Sequence, residues 1–469
     1  MTTKRRRRKS RTAERRPQKR SGVALVVVMA AVTIMAVFVA ELVENTSTDF
    51  HIATAERDRL KAEYLAKSGI NLTRLLIARE PQIRQVVGLL LQPVYQGAKP
   101  PQLNVWDFSD LLLGPFADPQ GKDALTEETG IDFSQMEGII DTGGTFEVIT
   151  VPENGKINLS KPLFFTGDDA RKSIAEQLFA LTGGYQSPDS PYDPMFAARD
   201  PDGHFTTRLD IVSAMIDWWD EDEQRTVFDP GTQGKATIAA GGSEDDIYGQ
   251  YADPYRIKNA PFDSIEELRM VRGVGDDFWA TFIDGTTDDP RERKVTVYAS
   301  GAVNVNQAKP EVLLSRLCSF LSTEPLCNNE VQYRAFVTLF NTLRGIIPVP
   351  VFPTPQSFLD FVSGGAGKSG TKAQGPDLYA LLNGYLTAMG MAETMMLWQP
   401  VTIPPELRDA VLSKFLVEAQ IFTIQSTARV GRAQAKMSLV INFDPRWTPP
   451  PGVAGRPPAL GVAHHYRLD

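Results

Sequence analysis

The sequence predicts an α+β fold: one long N-terminal helix packed on a small antiparallel sheet, with a large, mainly helical insertion. Three observations lead there. An apolar run near the start passes into a segment with helical periodicity, and no proline intervenes before Pro81. Segments with strand alternation, Thr145 to Val151, Phe415 to Ala428 and Ala433 to Phe443, stand far apart in the chain. Between them helical patterns dominate, so the sheet is assembled across an insertion.

The N-terminal helix is expected from Val23 to about Arg79. Its second half carries Leu60, Tyr64, Leu65, Leu72, Leu75 and Leu76 at spacings of three and four, a face that covers a globular head. Asn45-Thr46-Ser47-Thr48 is its weakest stretch and the expected place for a kink. Residues 80–143 read as loops with short helices. Thr145 to Val151 is a strand, Pro152-Glu153-Asn154-Gly155 a turn, and Lys156 to Leu159 the returning strand. Helices are expected over 168–181, 206–219, 263–274, 310–320 and 330–343. A short hairpin is expected around Gly301, from 294–300 and 302–306. Ser363 to Gly375 is a glycine-rich loop, and residues 444–469 a proline-rich tail without periodicity.

Charge is distributed unevenly. The first 20 residues hold eleven basic side chains against one acid, Glu14, a charge of +10; the formal −8 of the whole chain therefore leaves −18 for the rest. An acidic body argues against nucleic-acid binding, which depends on neutralising phosphates. After the basic block, the eighteen residues Val23 to Ala40 contain Thr33 as their one polar side chain. At about 1.5 Å per residue they span about 27 Å, enough to cross a bilayer core. Basic residues before the run and Glu41 and Glu44 after it orient the N-terminus to the cytoplasm. A cleaved signal peptide is the competing reading. The run is long for one, and Phe38 and Val39 interrupt the small-residue cleavage pattern, so a retained inner-membrane helix with its head in the periplasm is expected.

The motifs then point to a family. Arg20-Ser21-Gly22-Val23-Ala24-Leu25 resembles the type IV prepilin family, in which a prepilin peptidase cuts after the glycine. The resemblance implies cleavage between Gly22 and Val23 and N-methylation of Val23. Val27 stands where most members carry Glu. A carboxylate inside a membrane helix is costly unless paired, and a subunit with no neighbour above it has no such pair to make. Tyr64 to Gly69, Gly155-Lys156-Ile157-Asn158-Leu159, Asp217-Trp218-Trp219-Asp220, Gly241 to Asp246, Pro254 to Phe262 and Val303-Asn304-Val305-Asn306 resemble, in order, the protein K family of type II secretion, the large minor pseudopilins.

That resemblance implies a pilin-like helix and sheet with SAM-like helical units inserted. The chain then divides into a leader (1–22), a transmembrane helix (23–40), a pilin-like helix with the first strands (41–165), a helical insertion with acidic loops (166–290), a second hairpin and helical region (291–400), C-terminal strands (401–443) and the tail (444–469). The function it implies is structural: capping a pseudopilus tip and starting its assembly to export folded periplasmic proteins. The partners it implies are the minor pseudopilins I and J, then H and the major pseudopilin G, the prepilin peptidase and the inner-membrane assembly platform. No nucleic acid is expected.

Asp217, Asp220, Glu221, Asp222 and Glu223 form one acidic cluster; Glu244, Asp245 and Asp246, with Asp253 beyond, form another. A solvated acidic loop explains such clusters. The resemblance implies structural calcium, with Asp220, Asp222, Glu244 and Asp245 as the expected ligands. The spacing is not an EF-hand, since Arg225 and Gly231 stand where Gly and Glu are required. Cys318 and Cys327, in an oxidising compartment, are expected to form a disulfide rather than two free thiols. Ser264 to Leu268 leading to Val271-Arg272-Gly273-Val274-Gly275 resembles a helix-hairpin-helix turn, and gives the alternative of a membrane-anchored protein binding DNA during uptake. Its flanking Glu266, Glu267, Asp276 and Asp277 oppose a phosphate backbone. Gly367-Lys368-Ser369 lacks the first glycine of a phosphate loop, Val362 standing there. Trp218 and Trp219 read as core packing. No catalytic constellation is found, so an enzyme is not expected.

Overall fold

The computed structural model describes residues 22–91, 104–109, 113, 143–160, 168–199, 203–231, 236–251, 253–284, 289–298, 300–347, 350–365, 377–391, 393, 397–444 and 460–468. The basic leader through residue 21, the fragment Gly367-Lys368-Ser369 with most of its glycine-rich loop, and residues 445–459 lie outside the described residues. The chain divides into two compact units, Met1–Leu60 and Lys61–Asp469.

The first unit holds the opening turns of helix α1, Val23–Leu91. Among the described residues α1 is the one helix long and apolar enough to cross a membrane. Its early apolar side chains, from Val23 to Ile52, are all exposed. The hydroxyls of Thr33, Thr46 and Thr48 donate to the carbonyls of Met29, Leu42 and Glu44 at 2.8, 2.7 and 2.9 Å. Each of these three hydroxyls is thereby satisfied within its own helix. The Asn45–Thr48 stretch, the expected place for a kink, is helical throughout. The helix also continues past Arg79 and through Pro81, which removes one backbone donor without ending it.

In the second unit the strands are β1 Gly144–Pro152, β2 Ile157–Asn158, β3 Gln224–Asp229, β4 Thr237–Ser243, β5 Val295–Thr296, β6 Val303–Asn304, β7 Phe415–Leu416, β8 Ile421–Val430, β9 Ala433–Asn442 and β10 Val462–Leu468. The main sheet has the order β1-β8-β9-β10, every pair antiparallel. The residues of α1 from Ala62 onward pack on it through Ala62, Leu65, Ala66, Ile70 and Ile77, against Phe146, Val148, Ile424, Met437 and Leu439. Of the expected leucine face, Leu65 is buried here and Leu72 packs against the same cluster, but Leu60, Tyr64 and Leu75 are exposed. Small residues hold the contact because the helix lies very close to the sheet. A Cβ on Gly69 would sit 2.6 Å from Ser426 Oγ and 2.8 Å from the Phe146 ring.

Two expected hairpins are replaced by parallel pairs. Ile157–Asn158 does not return along β1; it pairs with Val295–Thr296, while Val303–Asn304 pairs with Phe415–Leu416. The expected strand from Phe415 is accordingly two strands, β7 and β8. Parallel pairing needs a crossover, and the helical segments between β2 and β5 and between β6 and β7 supply it. The expected helix at 263–274 is a 3₁₀ turn, Ile265–Met270, and β3–β4 forms a hairpin inside the insertion where loops were expected. The expected tail contains β10, which extends the sheet through backbone hydrogen bonds although none of its residues is buried. Its apolar content is too low for sequence alternation to reveal it.

The insertion has its own core, which includes Trp218 and Trp219 from the end of one helix, Phe336, Phe340, Phe358 and Phe361 from later ones, and Phe352 from the segment that connects those. Cys318 and Cys327 are disulfide-bonded, Cα to Cα 5.4 Å, and pack against Ala180. A closed loop of this length stabilises by about 2–3 kcal/mol.

Sheet and insertion meet at the turn after β1. Asn154, fully buried, accepts from the amides of Gln420 and Ile421 at 2.8 Å each. Burial alone would push the Glu153 carboxyl up. Lys156 Nζ at 2.9 Å and the hydroxyls of Thr296 and Thr423 outweigh it and hold Glu153 below its ordinary value. A carboxylate depressed in this way adds stability above its unfolded value near 4.5 and loses it as pH falls through the folded value.

Two outcomes follow from these contacts. Gly69→Val should overpack the helix–sheet contact and cost about 1–3 kcal/mol, read as a lower thermal midpoint. Lys156→Met leaves Glu153 buried and unpaired and should cost about 3–5 kcal/mol in urea unfolding at neutral pH. In that variant burial raises Glu153, so the deficit should shrink as pH is lowered toward 4.5. A deficit that is constant across pH would assign the loss to packing instead.

A carboxylate cluster in the helical insertion

Helix α2, Asp168–Leu181, and helix α3, Arg208–Asp217, frame the candidate site. A capping box fixes the start of α3: the Asp210 amide donates to Thr207 Oγ1 at 3.2 Å, and the Thr207 amide to Asp210 Oδ2 at 3.0 Å. At its other end the chain turns tightly, the amides of Trp219 and Asp220 both reaching Ile216 O at 3.1 Å. The two tryptophans enter the core, Trp218 stacking on Phe262, so Asp217 and Asp220 are left on one side of the turn. The β3–β4 hairpin then returns the chain, and Glu244 follows directly on β4.

Asp217, Asp220 and Glu244 converge, each offering an oxygen within 4.8 Å of the other two. All three are buried, at 3, 3 and 4% exposure. Asp217 Oδ1 accepts from the Thr226 amide at 2.7 Å. Neither carboxylate oxygen of Asp220 or of Glu244 has a hydrogen-bond partner. Arg171 is the cation beside them: its Nε lies 3.2 Å from Asp220 Oδ2, and its Nη2 donates to Asp222 Oδ2 at 2.8 Å.

The electrostatics are unfavourable to bare carboxylates. Burial, opposed by the Thr226 hydrogen bonds and reinforced by Asp220, pushes Asp217 up to about 7. Burial pushes Asp220 up to about 6 against the pull of Arg171. Glu244 rises to about 8 through burial and then through repulsion from Asp217, Asp220, Asp222 and Asp245. A set of hard oxygen donors, two of the three residues without a hydrogen-bond partner, fits a calcium-type cation, which takes six to eight oxygens.

Of the four expected ligands, the structure brings Asp220 and Glu244 together, with Asp217 as the third member. Asp222 is held by Arg171 and by the Gln224 amide at 2.9 Å, and Asp245 Oδ1 accepts from the Ile257 amide at 3.1 Å. Both stand close enough to raise Glu244. Sequence reasoning left Asp217 out of the ligand set. Its spacing of three from Asp220 at a helix end was the available signal. Asn259 was missed as well: its amide donates to the Asp222 carbonyl at 2.9 Å while Oδ1 is buried without a partner.

The other candidate motifs carry structural roles. In the hairpin-like turn, Gly273 takes φ +78°, the Arg272 amide donates to the Tyr248 hydroxyl at 3.1 Å and the Val274 amide to Val271 O at 3.1 Å. Those amides are engaged within the fold. Glu267 accepts from the amides of Asp263 and Ser264 and pairs with Lys258. In the Val303–Asn306 motif, Asn306 clamps the backbone of Phe352 in both directions, at 2.9 and 2.8 Å.

No family model matches the chain, and no curated protein matches it. Among solved structures, it is similar to a chain of the crystal structure of the GspK-GspI-GspJ complex from the type 2 secretion system of enterotoxigenic Escherichia coli. The identity is 14%, the match covers 70% of this chain and 80% of that one, and the TM-score is 0.35. A likeness this slight transfers no function.

Proposed function

We propose that this chain is a structural minor pseudopilin of type II secretion, processed between Gly22 and Val23 and anchored by α1 with its head in the periplasm. The observation that carries the reading is α1 itself. It is apolar and exposed at its start, and from Ala62 onward it packs through small residues on an antiparallel sheet. A basic leader ending in Gly22 precedes it. In this reading the head caps the pseudopilus tip, Val27 has no carboxylate to pair, and the chain joins the minor pseudopilins I and J, then H and the major pseudopilin G. The prepilin peptidase and the inner-membrane assembly platform act on it before it helps export folded periplasmic proteins.

Calcium belongs to the same proposal. Asp217, Asp220 and Glu244 would hold it, with Asp222 and Asp245 beside them, and its role would be to neutralise the cluster rather than to do chemistry.

Two measurements test this reading. N-terminal sequencing of the protein from membranes should give N-methylated Val23; an intact Met1, or a start near Ala40, would sink the pilin reading. For calcium, saturation at about a hundred times its Kd should add about 2.7 kcal/mol, or about 3 °C in thermal midpoint, relative to chelator. Glu244→Gln should abolish that gain, and in chelator above pH 8, where the parent's Glu244 carries its charge among the neighbouring carboxylates, it should melt higher than the parent. Equal midpoints with and without calcium would remove the cation from the proposal.

A further inference from the structure

Arg171 stands in the first turn of α2, and its guanidinium faces three carboxylates of graded depth. Nε lies 3.2 Å from Asp220 Oδ2, whose side chain is 2% exposed. Nη2 donates to Asp222 Oδ2 at 2.8 Å, where exposure is 39%. Nη1 lies 4.0 Å from Asp168 Oδ1, at 84% exposure. One side chain thus reaches from the inside of the carboxylate cluster to solvent.

The two close contacts differ in kind. The contact to Asp222 is a charge-assisted hydrogen bond. The contact to Asp220 is an ion pair without hydrogen-bond geometry, since neither Asp220 oxygen has a hydrogen-bond partner. Arg171 therefore lends Asp220 its charge and leaves the oxygens open as ligands. It is tied more firmly to Asp222, outside the group formed by Asp217, Asp220 and Glu244. Ionised, those three carry three negative charges, of which one guanidinium offsets one. A buried carboxylate without any cation is costly, so the arginine stabilises the cluster when no ion is bound. A cation held by the same oxygens meets a like charge beside one of its ligands, and like charges this near oppose each other.

We propose that Arg171 is a built-in competitor of the cation at this site: it holds Asp220 when no ion does, and on calcium binding gives up Asp220 while keeping Asp222 and Asp168. The proposal rests on the calcium reading of the cluster. Its consequence is a head that keeps one counter-charge without calcium and needs a higher calcium concentration to fill the site.

The test uses the full chain in detergent at pH 8, titrated with calcium chloride by calorimetry and melted in chelator and in saturating calcium. In R171Q the Kd for calcium should fall about tenfold. The midpoint of this variant should lie below the parent's in chelator and approach it in saturating calcium. R171M, which keeps an apolar stem, should show the same shifts and replaces R171Q should that variant not fold. R171K keeps the charge, and its Kd should lie between those of R171Q and the parent. A Kd in R171Q and R171M equal to the parent's, or higher, would overturn the proposal and make Arg171 an orienting partner of Asp220. So would a midpoint lowered equally with and without calcium, the mark of a packing role. Calcium binding by neither parent nor variants would instead remove the calcium reading, and the competitor with it.

Discussion

Two backbone amides, those of Gln420 and Ile421, end on a single buried oxygen, Asn154 Oδ1, and much of the second unit depends on that meeting. Asn154 closes β1, and Ile421 opens β8, so the bond sets where the two long strands begin to pair. The residues on either side of Asn154 extend the anchor. Glu153 reaches Thr423, Lys156 returns to Glu153, and Ile157 starts the parallel pair with β5. Gly155 fits closely there: a Cβ would lie 3.1 Å from the Gln307 carbonyl carbon, tighter than ordinary contact. A turn of a few residues thus joins the sheet, the first crossover and the start of the second.

The insertion works as a pair of enclosures rather than a loop. Each is bounded by a two-residue parallel pair, β2 with β5 and β6 with β7, and each is filled by helices whose side chains share one core. Two-residue strands contribute few hydrogen bonds. Their value lies in bringing the ends of a long excursion together, after which the core and the disulfide stabilise what lies between. The carboxylate cluster sits inside the first enclosure, where a helix end and a hairpin are held face to face.

Much of this was legible from the residues. The apolar run, the strand β1 and the β8–β9 hairpin about Val430–Gly431 follow from local patterns, and Gly431 at φ +57° is the expected turn residue. The parallel pairs were not legible, since two residues carry no periodicity and Ile157-Asn158 reads equally well as a hairpin return. The face of α1 was legible in part: Leu65 and Leu72 pack as expected, but Leu60, Tyr64 and Leu75 do not, because the determining quantity was how closely Gly69 and the alanines let the helix approach. The acidic site was half legible. Density of charge marked the two segments, but only the β3–β4 hairpin, whose strands sequence alternation did not separate from loops, decides that Glu244 meets Asp217 and Asp220.

The pairing of β1 with β8 also fixes an order of events during synthesis. Asn154 and Ile421 stand 267 residues apart. Chains emerge from the ribosome at about 5–20 residues per second and tend to fold domain by domain. Until β8 has been made, the inner face of α1 has no sheet to cover, and β1 is an unpaired edge. The helical enclosures, whose contacts are closer in sequence, can gather their core first. They would then hold Asn154 near the place where Ile421 arrives, so that closing the sheet becomes a short search instead of a long one.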